Sequence, residues 1–238
     1  LPYVMGWTWN AASEDYQSSN AKEKGAMLAE DGESLLWAEL SPSEECIAMC
    51  PASKIWRDKL TKVSIEFVKR YRTGGVYFDY FSTHMNDCLN PSHGHAMGGG
   101  DYWARGINGL YKQIRDTVHK IDPEAMFCGE NAAEFTIGVL DANYEGSYGS
   151  DAPVWQAVYH DYIQLFGGMH WMEERPLLLG RQWLLGHMNQ LAGTWGYHKE
   201  DTIPEKSQWQ HDLLQCHHEF AKPYLGYGQM LRPPVITG

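Results

Sequence analysis

Asp79 and Glu130 lie 51 residues apart, each at the point where a short apolar run gives way to polar chain. The runs are Gly75-Val-Tyr-Phe-Asp79-Tyr-Phe81 and Ala125-Met-Phe-Cys-Gly-Glu130-Asn131. Two carboxylates facing one cleft are the usual equipment for cutting a glycosidic bond. Retaining cleavage needs one ionised group to attack the anomeric carbon and one protonated group to release the leaving oxygen, about 5–5.5 Å apart. Inverting cleavage needs roughly 6.5–9.5 Å, to admit a water. Tyr77, Phe78, Tyr80 and Phe81 flank Asp79 and would help to exclude solvent. The competing reading is that strand-end carboxylates cap a neighbouring helix or hold a loop.

A second stretch is chemically unusual: Cys88-Leu-Asn-Pro-Ser-His93-Gly-His95-Ala-Met-Gly-Gly-Gly100. Cys88, His93 and His95, with Asp87 beside them, carry the thiolate and imidazole groups that zinc favours, but a structural site needs four ligands and no Cys-x-x-Cys pair completes this one. His93 and His95 could equally contact sugar hydroxyls, with the glycines letting backbone approach a ligand closely. An ordinary tight loop with incidental histidines is the third reading. Further along, Tyr159-His160-Asp161-Tyr162 offers a His-Asp pair at the end of a strand candidate, and a buried histidine beside a local acid is the alternative there. Tyr77, Trp103 and Asn131 join His93, His95 and His160 as candidate substrate contacts, and Glu134, Asp141 and Glu145 are reserve carboxylates. His217-His218-Glu219 reads as helix surface, because adjacent helical positions do not share a face. No G-x-S-x-G elbow supports serine-hydrolase chemistry.

These residues need elements to position them. Leu1–Asn10 reads as a buried strand running into a loop, and residues 11–50 as a polar, irregular excursion with a hairpin near Glu30–Glu33. Ser53 offers an N-cap to a helix whose apolar stripe is Trp56, Leu60, Val63, Phe67 and Tyr71, stopped by Thr73-Gly-Gly75. Strand 75–81 follows. Asp101 can cap a second helix, striped by Trp103, Ile107, Leu110, Ile114 and Val118 and punctuated by Pro123, before strand 125–130. Residues 137–144 and 154–160 are weaker strand candidates. The apolar run 176–195 suits a helix and a last strand, 207–220 a helix, and 226–236 the chain's exit. Strands alternating with helices predict a parallel α/β array of the (β/α)8 TIM-barrel type, whose strand carboxyl ends gather reactive groups at one rim. Only five or six strands are visible. The expectation is therefore one catalytic barrel domain over 1–238, lacking its first strands, with further domains or chain segments completing it.

Composition narrows the partners. A net charge of −11 across 238 residues argues against nucleic acid. No apolar run reaches the roughly 20 residues of a membrane span. Apolar residues at 43% and charged residues at 21% suit a soluble globular protein. The 10 Trp and 14 Tyr fill a core or line a sugar cleft. Five unevenly spaced cysteines do not make a disulfide framework, although Cys50 and Cys88 could be bridged or adjacent. Leu1 in place of Met, without a basic-then-apolar leader, suggests a processed product or a piece of a longer chain.

Taken in order, several segments carry a likeness: Met49-Cys-Pro-Ala52, Gly-Val-Tyr-Phe-Asp79, the C-x4-H-x-H-x2-GGG loop, Tyr102-Trp103 and Gly-Glu130-Asn131. Ala157-Val-Tyr-His-Asp161-Tyr162 and Tyr227-Gly-Gln-Met-Leu-Arg-Pro-Pro234 continue it. From about residue 46 onward the chain resembles a group of uncharacterised glycoside-hydrolase-like barrel proteins, and more distantly is similar to the α-amylase superfamily of retaining α-glycosidases. The distant resemblance implies Asp79 as nucleophile, Glu130 as acid/base, and His160 with Asp161 as substrate-holding, transition-state-stabilising groups on an α-linked carbohydrate. It departs from that pattern where Tyr77 replaces an arginine two residues before the nucleophile, so another group must orient Asp79. No cofactor or metal is expected on this reading. The alternatives are a metal-dependent hydrolase using Cys88, His93 and His95, and a carbohydrate-binding barrel without catalysis.

Overall fold

The computed structural model describes residues 1–41, 44–79, 85–131, 133–144, 154–167, 183, 188–189, 204–225 and 228. The chain divides into two compact units, Leu1–Asp141 and Ala142–Gly238.

In the first unit, β1 (Tyr3–Met5) pairs in parallel with β5 (Gly75–Asp79), and β5 pairs in parallel with β6 (Met126–Glu130). The helix α3 (Lys54–Tyr71) precedes β5, and α4 (Tyr102–Val118) joins β5 to β6. Two successive βαβ crossovers result, as the alternating pattern predicts. Phe78 is fully buried, with its ring 5.4 Å from Tyr111 of α4, so Val76 and Phe78 face the helices. Side chains alternate along a strand, which puts Tyr77 and Asp79 on the other face.

The predicted stripe of α4 is buried throughout: Trp103, Ile107, Leu110, Ile114 and Val118. That of α3 is turned from its expected course. Trp56 and Leu60 are buried, but the line continues through Ser64 and Val68, while Tyr71 is exposed. Neither expected cap forms through its side chain. Ser53 Oγ donates instead to the Cys50 carbonyl at 2.8 Å, and Asp101 pairs with Arg105.

The polar excursion is more ordered than its composition suggested. It holds α1 (Glu14–Ser18), α2 (Ala21–Gly25) and an antiparallel sheet in the order β2 (Thr8–Asn10), β4 (Glu44–Ala48), β3 (Leu36–Ser41). The hairpin expected near Glu30–Glu33 is present, closed by Ala29 N–H to the Glu33 carbonyl at 2.9 Å. Trp56, Trp7 and Trp9 form the aromatic floor of this region; Trp56 Nε1 donates to the Gly6 carbonyl at 3.1 Å.

In the second unit, β7 (Ala142–Tyr144), β8 (Gln164–Gly167) and β9 (Met188–Asn189) pair in parallel. Segment 154–160, expected as a strand, is instead the helix α5 (Val154–Tyr159) followed by a turn. The helix expected over 207–220 is α6 (Pro204–Cys216), running through a π turn at His217–Ala221 into Lys222–Leu225. Most of the expectations for 176–195 and 226–236 lie outside the described residues. Among the described residues, no helix is long and apolar enough to cross a membrane.

Candidate functional site

The β5–β6 register runs Gly75↔Met126 to Phe78↔Gly129. One rung further come Asp79 and Glu130, the last residues of their strands. Residues on one rung of a parallel pair share a face, and neighbouring strands lie about 4.8 Å apart. Both expected carboxylates therefore end adjacent strands on the face away from α4. Glu130 is partly exposed, and the next residue, Asn131, turns the chain through a left-handed conformation at φ 61°. Asparagine tolerates that geometry better than most residues. Asn131 thus marks a sharp exit from the strand directly behind Glu130.

Asp79 is only 4% exposed, yet its carboxylate is not abandoned in hydrocarbon. Tyr3 Oη donates to its Oδ2, and Tyr77 Oη lies 3.4 Å from its Oδ1. The register Tyr3↔Tyr77 and Met5↔Asp79 places both phenols on the face of Asp79, their rings 5.8 Å apart. Tyr77, expected to contact substrate, lies against this carboxylate instead, and Tyr3 donates to the same group. Sequence reasoning missed Tyr3; the signal was its position in an apolar, strand-like amino terminus.

Three other candidates stand elsewhere. Trp103, expected near substrate, is 3% exposed and packs edge-on against Trp7 at 6.3 Å, so it is a core residue. His160 and Asp161 were expected at a strand's carboxyl end. They occupy the turn between α5 and β8, at the amino end of β8, whereas β7 and β8 finish at Tyr144 and Gly167. The reason is local: residues 154–159 coil into a helix, and the strand starts later. His160 Nε2 contacts the Gly228 carbonyl and lies 3.1 Å from Asp161, whose side chain is exposed. Of the reserve carboxylates, Asp141 is already occupied, accepting from Arg115 Nη1 at 2.8 Å and from Phe127 N–H at 2.8 Å. Glu134 is exposed, and Glu145 lies outside the described residues.

His93 and His95 belong to a different constellation. With Cys50 and Cys88 they form a cluster whose ligand atoms all lie within 4.8 Å of one another. Cys50 Sγ is 3.3 Å from His95 Nε2, and Cys88 Sγ is 3.3 Å from His93 Nδ1. Asp87 is exposed and takes no part. The hydrogen bond from Cys50, supported by His93, holds the Cys88 thiol well below its ordinary range despite burial. The same bond, then burial, pushes Cys50 up. Tyr102 is raised too, by burial first and then by the neighbouring sulfurs. Its ring stacks on His95 at 4.1 Å and 12°.

Several known proteins are similar to this chain in sequence or in fold. A Bacteroides thetaiotaomicron protein named "Putative glycoside hydrolase" is 32% identical over 199 residues, covering 76% of this chain; the chain spans 29% of that relative's length. The sulfoquinovosidase of E. rectale, of family GH31, superposes with a TM-score of 0.62 at 11% identity, over 95% of this chain and 37% of that one. The α-N-acetylgalactosaminidase NagBb of Bifidobacterium bifidum gives 0.61 at 14% identity, over 90% and 34%. The α-galactosidase of Thermus thermophilus gives 0.57 at 10%, over 89% and 46%. At such identities the likeness is one of fold, a mixed α/β architecture with parallel strands shared with glycoside hydrolases. A family profile described as a domain of unknown function, DUF6259, matches residues 1–171, a span that takes in Tyr3, Asp79, the Cys/His loop and Glu130, and on that match the chain belongs to the DUF6259 family.

Proposed function

We propose that this chain is part of a glycoside hydrolase that cleaves its bond with two carboxylates, Asp79 as nucleophile and Glu130 as acid/base. The observation that carries this reading is the shared rung: both groups terminate neighbouring parallel strands on one face. Strands about 4.8 Å apart bring such groups within range of the 5–5.5 Å separation of a retaining enzyme, nearer than the spacing inversion requires. The named relative and the glycosidases that share the fold support the substrate class. On this reading β1, β5 and β6 are consecutive staves of a (β/α)8 barrel that further chain completes, and the substrate is an α-linked carbohydrate.

Asp79 attacks the anomeric carbon with the oxygen left freer by its weaker phenol contact, Oδ1. Glu130 gives its proton to the departing glycosidic oxygen, then takes one from the water that releases the sugar. Asn131, directly after Glu130, is the candidate for meeting a sugar hydroxyl. The alternative of a metal-dependent hydrolase built on Cys88, His93 and His95 fares worse, because Cys50 supplies a fourth ligand and a catalytic metal needs an open position.

The test uses the full-length protein and a panel of 4-nitrophenyl α-glycosides. Asp79→Asn and Glu130→Gln each lose turnover by about a thousandfold or more, while both variants keep the wild-type fold by circular dichroism. Azide restores Glu130→Ala by attacking the glycosyl-enzyme without a base. Near-normal rates in both amide variants on a substrate the wild type cleaves would sink the assignment, and sugar binding without cleavage by the wild type would favour a binding barrel.

A further inference from the structure

The Cys50, Cys88, His93 and His95 cluster is used by nothing in the proposed chemistry. We propose that it is a structural zinc site, a tetrahedral Cys2His2 centre that fastens the β5–α4 connection to α2 and to the turn before α3.

The distances fit the metal. Zinc binds thiolate at about 2.3 Å and imidazole nitrogen at about 2.0–2.1 Å, so the sulfur-to-nitrogen edge of its tetrahedron is about 3.5 Å. The two sulfur–nitrogen contacts, each 3.3 Å, lie close to that edge. All four ligand atoms fall within 4.8 Å of each other, so a small contraction closes the tetrahedron. The donors also choose the metal. Two sulfurs and two imidazoles suit zinc, whereas calcium and magnesium require oxygen ligands.

The tautomers point the same way. His95 Nδ1 lies 2.8 Å from the Ala96 carbonyl, an acceptor only, so Nδ1 carries the ring proton. Nε2 is left with its lone pair directed at Cys50 Sγ. A backbone carbonyl fixing one imidazole nitrogen while the other meets the metal is the customary support of a histidine ligand. The Tyr102 ring stacked on His95 holds the plane. His93 presents Nδ1 to Cys88, and its Nε2 is buried without a hydrogen-bond partner, so the ring's one polar engagement is within the cluster.

The backbone is shaped to deliver these groups. Cys50 N–H donates to the Gly25 carbonyl at 2.8 Å, and the Cys50 carbonyl accepts from Ser53 N–H and Oγ at 3.0 and 2.8 Å. Leu89 N–H reaches the Leu28 carbonyl at 3.0 Å, and Asn90 Nδ2 the Ala26 carbonyl at 3.0 Å. Gly94, at φ 73°, reverses the chain between the two histidines so that both enter one volume. Cys50 and Cys88 are not joined by a disulfide, so nothing covalent competes for the two sulfurs. With four protein ligands the coordination shell is full, which makes the centre structural, not catalytic.

The experiment is metal analysis of the full chain purified without chelators and without a polyhistidine tag. About one zinc per chain is expected, retained through gel filtration. Chelation should release it and lower Tm by at least roughly 5 °C, and re-addition of zinc should restore the melt. Cobalt added to the metal-free protein should give the intense visible bands of a tetrahedral thiolate site. Cys88→Ser and His95→Ala should lose the metal, while Cys216→Ser, at an exposed thiol outside the cluster, should keep it. Should the cluster variants fail to fold, the cobalt spectrum of the wild type decides alone. Zinc below roughly a tenth per chain with no cobalt spectrum would overturn the proposal, as would a Cys50–Cys88 disulfide found by mass spectrometry. Neither readout depends on turnover, so failure here leaves the Asp79/Glu130 assignment standing.

Discussion

Replacing Tyr3 by Phe removes a single oxygen and tests whether that phenol orients the candidate nucleophile. The carboxylate it contacts is 4% exposed, so water cannot readily replace the lost donor. A hydrogen bond to a charged partner contributes about 1.5–3 kcal/mol. Tyr3 itself is 49% exposed, which places the expected loss at the lower end, about 1.5 kcal/mol. For a chain of this size that is a fall in Tm of about 3–6 °C. If Asp79 is the nucleophile, misorientation should cost kcat/KM about tenfold. Tyr77→Phe provides an internal standard. Its oxygen lies 3.4 Å from Oδ1, at the outer limit of a hydrogen bond. Its removal should cost only about 0.5 kcal/mol, roughly twofold in rate. Thermal melts of both variants, and of Tyr3→Phe in an Asp79→Asn background, read the coupling directly. A larger loss for Tyr77→Phe than for Tyr3→Phe, or an unchanged Tyr3→Phe cost once Asp79 is neutralised, would refute the reasoning.

Two further substitutions test the frame that holds the rung. Gly75 begins β5 at φ 136°, and a Cβ there would stand 1.8 Å from the Met126 carbonyl oxygen. Gly75→Ala must open the first β5–β6 pair, costing roughly 4 kcal/mol, and a melt within 2 °C or so of wild type would contradict the register. Asp141→Ala deprives Arg115 and the Phe127 N–H of a shared acceptor at the α4–β6 junction. The expected loss is about 2–3 kcal/mol, with Asp141→Asn in between because the amide keeps one acceptor oxygen; equal melts for both variants would show that the carboxylate does not tie helix to strand.

What could be read from the sequence was local and periodic. The α4 stripe is buried as spaced, because a helix packed on a sheet must turn one continuous apolar face inward. The α3 stripe drifted because small polar residues can occupy a helix interface: Ser64 and Thr61 are buried, each donating its hydroxyl to a carbonyl one turn back at 2.8 and 2.7 Å. The antiparallel sheet escaped notice because Glu39, Glu44 and Glu45 mask the alternation of β3 and β4. Val154–Tyr159 misled in the opposite sense. Its Val, Trp and Tyr residues favour strands, yet tertiary context made it a helix and moved His160 and Asp161 to a strand's beginning. Cys50 is not legible as a ligand in the sequence, because it stands 38 residues before Cys88 and metal motifs are recognised by short spacings. Only the fold brings the carboxyl end of β4's segment to the β5–α4 loop.

That loop links the two sites physically. It starts after the strand that ends in Asp79 and runs to α4 with one 3-10 turn, Pro91–His93, as the regular structure among its described residues. Gly94, Gly98, Gly99 and Gly100 all adopt positive φ, and ordering four glycines costs more backbone entropy than ordering any other residues would. Hydrogen bonds from Leu89, Asn90 and Ser92 offset part of that cost over the first half of the loop. The four sulfur and nitrogen ligands act on the same stretch, and Tyr102 carries the restraint into the first turn of α4 by stacking on His95. Loops that follow the carboxyl ends of parallel strands usually shape the substrate cleft. A closed metal centre there would stiffen the rim beside the candidate nucleophile without presenting any reactive group to a bound ligand. The buried sulfurs, the full set of ligands and the cluster's place after Asp79 are then consequences of one requirement: a glycine-rich loop that must hold a single shape.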